Sequence, residues 1–180
     1  MNIFFLSRRL RRSAKYHCDE HVRKMQIEAA QLLYGVLWKY DPSGNWRTTA
    51  PWKCDKTQRG YRLFTANHPM QLWVAESLGN YVYCVGYGLA LCAEFTRRYG
   101  KIHSTEEHLR WLSMNYPKQI PRGPMTPVPL CINKGTKGVV TKRESDMQVV
   151  IKTYRRFYTQ DKTFATYEKG RAAPKWLTQH

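Results

Sequence analysis

His21, Lys24, Glu28 and Gln31 stand at offsets of 0, 3, 7 and 10 residues. On a helix those offsets share one face. A carboxylate and an imidazole two turns apart on such a face can bracket a ligand. Glu28 lies between Ile27 and Ala29, flanks that suit a general acid or base. The plainer reading is a solvated polar face with an ordinary Lys24/Glu28 pair at i, i+4.

Three other groups could carry binding. Residues 46–64 set Trp46, Trp52, Tyr61 and Phe64 among Arg47, Lys53, Lys56, Arg59 and Arg62. Such a mixture can stack bases and contact phosphates, or its tryptophans can fill the core under a loop. His68, Trp73, Glu76 and Asn80 fall at helical spacing and could line the cleft of Glu28. The alternative is a helix start followed by a packing tryptophan. Lys152, Arg155 and Arg156 are either phosphate contacts or solvated charge. Gly135 and Gly138 complete no P-loop. No HExxH or Cys/His zinc spacing occurs, so neither a metal nor another cofactor is expected.

These groups sit in a very basic chain. Across 180 residues, 30 Lys and Arg face 13 Asp and Glu, for a net charge of +17. Such a surplus costs self-repulsion unless a polyanion offsets it. Nucleic acid is the default polyanion and an anionic membrane surface the second choice. No run reaches the roughly 18 apolar residues that span a bilayer, so no membrane partner is expected. The five cysteines, Cys18, Cys54, Cys84, Cys92 and Cys131, form no CxxC pair. Cys84 and Cys92 share a helix face and read as thiols in a helical core. A reducing, intracellular compartment follows.

The elements that must position these residues are mainly helices. Ile3-Phe4-Phe5-Leu6 reads as a short buried strand. Residues 8–16 suit a short basic helix carrying Arg8, Arg9, Arg11 and Arg12. The first strong helix spans 19–38, with Val22, Met25, Ala29, Leu32, Leu33 and Val36 at apolar spacing. It carries Arg23 and Lys24, and opens on Asp19 as N-cap or first-turn acid. A second long helical stretch runs from Asn67-His68-Pro69 to Tyr99. It bears Arg97 and Arg98, is interrupted or closely packed at Gly79, Gly86 and Gly88, and is closed by Gly100. Ser104–Glu107 and Thr141–Glu144 read as capping boxes. The second opens a helix with Met147, Val150, Ile151, Tyr154 and Phe157 on one face. Five prolines between 117 and 129 predict a stiff extended linker or lid between the main body and this C-terminal helix.

The segment from Tyr16 to Leu33, Tyr-His-Cys-Asp-Glu-His-Val-Arg-Lys-Met-Gln-Ile-Glu-Ala-Ala-Gln-Leu-Leu, resembles the opening of a family of small proteins of phages and large DNA viruses. Further matching blocks are Asn67-His-Pro with Trp73, Glu76 and Asn80-Tyr81, then the run from Leu89 to His103, then Pro174-Lys-Trp176. Together they cover about two thirds of the chain. That family is distantly similar to pyrimidine dimer DNA glycosylases of the phage endonuclease V type, through Asp19, His21 and Glu28, and through His68 and Arg97-Arg98. The resemblance implies an N-terminal α-amine, here on Met1, that attacks a sugar carbon and forms a Schiff base. An α-amine has an ordinary pKa near 8, so a useful fraction is unprotonated. Glu28 would stabilise the sugar cation and assist proton transfers, while His21 and nearby basic groups would hold phosphates. The sequence departs from the pattern at two places. Asn2 is larger than the small residue the family exposes, which disfavours removal of Met1. Ile27 and Gln31 stand where the family has arginines around its glutamate.

The expected fold is therefore mostly α: a compact single-domain helical bundle over 1–180, with a short N-terminal strand and long irregular loops. The expected partner is nucleic acid, DNA before RNA, in the cytoplasm or nucleus of a host. The leading function is a glycosylase or abasic-site lyase. The rivals are a basic structural subunit of a nucleoprotein particle and an inhibitor of host nucleic-acid machinery, the latter implying a protein partner.

Overall fold

The computed structural model describes residues 2–63, 66–132 and 142–178. Among them are seven α-helices: α1 (Leu10–Tyr16), α2 (Asp19–Tyr40), α3 (Pro69–Val74), α4 (Leu78–Tyr99), α5 (Thr105–Met114), α6 (Met147–Asp161) and α7 (Lys175–Thr178). One 3-10 turn covers Asn45–Thr48. The sheet among the described residues is a single antiparallel pair, β1 (Val128–Pro129) with β2 (Arg143–Glu144). The chain is mostly helical, as its periodicity predicts.

The long helices α2 and α4 pack on each other at the centre, and α1, α3 and α5 pack around them. Val22, Met25, Ala29, Leu32, Leu33 and Val36 of α2 are all buried, which is the stripe the spacing predicts. The helix opens with Asp19 and Glu20 in its first turn, where acids complement the helix dipole. It runs to Tyr40 because Pro42 pushes Asp41 out of helical geometry. On α4, Cys84 and Cys92 are both buried thiols.

The long second helix is two helices. His68 accepts a hydrogen bond from Met70 N at its Nδ1 and Pro69 takes the first helical position, so α3 starts as predicted. It stops at Val74, and Ser77 caps a new helix by accepting from Asn80 N. The proline-rich segment explains the break. Pro121 O accepts from Leu78 N at 2.8 Å, Gly123 O from Gly79 N at 3.0 Å, and Pro124 O from Ser77 Oγ at 2.8 Å. The segment thus supplies carbonyls to N–H groups that a helix start leaves unsatisfied. It is a fixed strap, not a lid. Gly79 permits the contact, since a Cβ there would stand 2.5 Å from the Pro124 backbone. Gly86 and Gly88 are likewise points of close approach, to Leu10 and Leu109.

Three expectations are corrected. Ile3–Leu6 is buried but pairs with no strand among the described residues. Ser104 makes no side-chain cap, and His103 Nδ1 accepts from Thr105 N instead. The second capping box does not open α6, because Arg143 and Glu144 are in β2 and Asp146 caps Gln148 N. Thr141 lies outside the described residues, as do Phe64, Gly135 and Gly138.

Asp19 does more than start a helix. One carboxylate oxygen accepts from Arg98 Nη1 at 2.9 Å, and the other from Glu168 N at 2.7 Å and Lys169 N at 3.2 Å. Arg98 also donates to Glu94, and Glu94 accepts both Nε and Nη2 of Arg171. This clasp ties α2, the end of α4 and the 166–171 segment together. Breaking a buried ion pair from one side leaves the other charge uncompensated. Asp19→Ala is therefore expected to lower stability by about 3–5 kcal/mol and to release the C-terminal segment. Urea denaturation and limited proteolysis check this; unchanged resistance around 166–171 would contradict it.

Candidate functional site

The site builds from the extended segment that precedes α1. Asn2 N donates to Glu28 Oε2 at 2.8 Å, so the start of the described chain is held on a half-buried carboxylate of α2. Asn2 is fixed from other directions too. Its Nδ2 donates to Cys131 O at 2.8 Å, and Tyr154 Oη donates to its Oδ1 at 3.3 Å. Tyr154 comes from α6, so that helix positions the site from the far side. Met1 lies outside the described residues.

Glu28 and His68 belong to one neighbourhood through a short series of contacts. Cys131 follows the strap and receives Asn2 at its carbonyl. Its thiol takes an N–H from Met70, while burial pushes the thiol up to about 11. Met70 N also donates to His68 Nδ1 at 3.2 Å. His68 is half-buried, and burial lowers its pKa from the ordinary histidine value. Cys131 was not among the sequence candidates. Its position after a proline-rich stretch gave no signal, because the approach to Asn2 depends on the strap.

His21 is elsewhere. Its ring stacks on Phe4 at 4.8 Å with an interplanar angle of 14°, and meets Tyr158 and Phe164 edge-on. It is 6% exposed and its Nδ1 has no hydrogen-bond partner in the described structure. Burial first, then the nearby cationic groups, lowers its pKa to about 3. A neutral, enclosed imidazole is unsuited to the phosphate-holding role that the resemblance implies. Phe4 covers His21 while Asn2 covers Glu28, so one helical stripe is divided between two environments. Lys24 is exposed, and Gln31 lines a cavity of about 250 Å³ with Lys53, Tyr61 and Arg62. The basic loop therefore stands beside the turn of α2 that follows Glu28.

The other sequence candidates separate clearly. Trp73 and Asn80 are buried and hold the strap. Trp73 Nε1 donates to Thr126 O, and Asn80 exchanges bonds with Thr126. Glu76 forms a two-pronged ion pair with Arg143, whose hydrogen bonds hold its carboxyl below the usual range. These three side chains are taken up by the strap and by Arg143. In the loop, the two alternatives divide between the tryptophans. Trp46 packs against Tyr34, Trp38 and Trp111, whereas Trp52 is 50% exposed with the Arg59 guanidinium 4.7 Å over its ring. Arg47 lies over Trp38, and Arg62 is exposed and bonded to Gln58.

The basic residues also divide. Arg8, Arg9, Arg11, Arg12, Arg23, Lys24, Arg97, Lys152 and Arg156 are exposed. The side chain of Arg98 is fully covered, occupied by Asp19 and Glu94, and offers nothing to a phosphate. Arg155 is half-buried and donates through Nε to Leu6 O at 3.0 Å. Among the described residues no helix is long and apolar enough to cross a membrane, and no group of three or more His, Cys, Asp or Glu could hold a metal ion.

No protein-family model, no curated protein and no solved structure matches this chain.

The buried histidines make a pH prediction. Burial lowers His17 to about 4 and His21 to about 3, so the unfolded chain binds protons that the folded chain refuses. Their contribution is full above the unfolded value near 6.5 and is lost as pH falls toward the folded values. The melting temperature is expected to drop below pH 6.5. His21→Phe should keep the stacking, remove an unpartnered buried nitrogen, be neutral or stabilising at pH 7, and shrink the acid-side drop. A large loss of stability at pH 7 would contradict this environment for His21.

Proposed function

We propose that this protein binds DNA and acts on its sugar, as a glycosylase or abasic-site lyase that uses its N-terminal amine. The observation that carries the reading is the Asn2 N to Glu28 Oε2 contact of 2.8 Å. It brings the backbone nitrogen of Asn2 to a half-exposed carboxylate, one turn of α2 before Gln31 and the basic, partly aromatic loop that Gln31 meets. With Met1 retained, the amine stands one residue before that nitrogen; with Met1 removed, it is that nitrogen.

The chemistry follows from an amine next to a carboxylate. The neutral nitrogen attacks C1′ of an abasic sugar with its lone pair, and the resulting carbinolamine loses water to give an iminium. On an intact nucleotide the base departs with the electron pair of its C1′–N bond. In this reading Glu28 takes the proton the nitrogen loses and balances the positive charge that develops on the sugar. Loss of a C2′ proton then expels the 3′ phosphate and cuts the strand. The exposed arginines supply the salt-dependent attraction to phosphates.

Borohydride trapping on abasic-site DNA tests the reading. Hydride reduces the iminium carbon and fixes the protein to the sugar. The parent is expected to give a covalent adduct, and a form blocked at its α-amine to give none. Glu28→Gln should slow strand cleavage by a factor on the order of 10²–10⁴, the usual size of a lost acid/base contribution. Absence of any adduct from the parent, together with sequence-blind DNA binding that weakens steeply with salt, would leave the non-catalytic structural subunit instead.

A further inference from the structure

A second site lies at the other end of the extended segment. Ser7, Arg8, Arg9, Arg12, Gln148 and Arg155 line a cavity of about 330 Å³ between the start of α1 and one face of α6. No acidic residue lines it. Arg8, Arg9 and Arg12 make no ion pair with any described residue.

Two of the lining groups are prepared rather than merely nearby. The Arg155 guanidinium lies 5.4 Å from the centre of the Tyr16 ring and 5.2 Å from that of Trp176. Its Nε is spent on Leu6 O, which leaves its two Nη groups without a partner among the described residues. Such a fork, fixed by ring contacts and one hydrogen bond, loses little freedom when it meets an oxyanion. Ser7 is 7% exposed, and its hydroxyl accepts from Arg9 N at 3.3 Å. Its own O–H proton remains to be donated.

From this geometry we infer that the cavity is a binding site for the terminal phosphate of a nucleic-acid strand. Four arginines and one buried serine line this single small space. An internal phosphodiester offers one charge and two free oxygens. A terminal monoester offers nearly two charges and three acceptor oxygens, which suits paired arginine forks better. The ligand class is therefore a strand end, such as a nicked or cleaved strand presents. The inference rests on the DNA-binding reading and adds an end preference to it. It also gives Arg155 a double role, since the residue that would hold the phosphate also holds the carbonyl of Leu6, four residues along the chain from Asn2.

The test compares one oligonucleotide in 5′-hydroxyl, 5′-phosphate and 3′-phosphate forms, by fluorescence anisotropy at fixed ionic strength. A terminal phosphate at one end is expected to tighten Kd by about tenfold, the scale of a charge-assisted contact. Arg12→Ala, on the exposed face of α1, should abolish that gain, so that the hydroxyl and phosphorylated forms bind alike, each weakened by the phosphate contact that the arginine gives to every strand. Arg8→Ala serves as a second exposed variant with the same expected result. Inorganic phosphate should compete away the gain and no more. Equal Kd for all three forms overturns the end site while leaving DNA binding intact. Failure of every form to bind at low salt overturns the DNA reading itself. A phosphoserine peptide that binds more tightly than the phosphorylated strand assigns the pocket to a protein ligand and sinks the inference.

Discussion

The structure depends on how the buried segment from Asn2 to Ser7 satisfies its backbone. An extended chain inside a core needs partners for its N–H and C=O groups, and a sheet ordinarily provides them. Here side chains provide many of them. Phe4 N donates to Tyr87 Oη, Leu6 N to Ser13 Oγ, and Ser13 Oγ to Phe4 O. Arg155 covers Leu6 O, and Glu28 receives Asn2 N. Every one of these partners comes from a helix: α1, α2, α4 or α6. The segment is thus the axle on which those helices are mounted, and its first residue is set where the helices together require it.

The same arrangement explains the buried polar residues of α1 and α4. His17 Nδ1 bonds to Ser13 O at 2.8 Å and its Nε2 meets Tyr87 Oη at 2.9 Å. A carbonyl can only accept, so Nδ1 carries the proton and Tyr87 donates to Nε2. Tyr87 is then free to accept from Phe4 N. Burial lowers His17 to about 4, which keeps this tautomer available at neutral pH. One imidazole therefore fixes the direction of the bonds that run from Ser13 O through His17 and Tyr87 to Phe4 N. A charged His17 would have two donors and would reverse one of them.

Much of the helical scaffold was legible in the sequence, and the reasons are local. The apolar spacing of α2 and the shared face of Cys84 and Cys92 depend only on helical period. So does the buried face of α6, where Val150, Ile151 and Tyr154 are buried as the spacing predicts. What failed was nonlocal. The helix break after Val74 follows from strap carbonyls some forty residues later in the chain. Asp19 read as a helix-start acid because its partners, Arg98 and the backbone of Glu168 and Lys169, are distant in sequence. His21 and Glu28 do share a stripe, but period cannot say that a phenylalanine ring covers one and a backbone nitrogen the other. Ile3–Leu6 was legible as buried and extended. Its lack of a strand partner was not, because that depends on side chains from four helices.

The charge surplus gains meaning once the internal pairs are set aside. Arg98 and Arg171 are committed to Asp19 and Glu94, Arg143 to Glu76, and Arg110 to Glu106. These pairs bring cations and acids together near the joints of the fold and leave the net charge of +17 unchanged. The surplus must then be carried by residues with no such assignment, and it is concentrated unevenly. Residues 1–18 contain four arginines and one lysine and no acid, and the arginines flank the outer end of the axle. Like charges gathered on so short a helix repel one another, and α1 has neither an acidic first turn nor a side-chain cap to offset this. Its helix is held by packing on α4 and by the Ser13 and His17 contacts. The fold thus spends buried hydrogen bonds to keep a repulsive, acid-free helix in place.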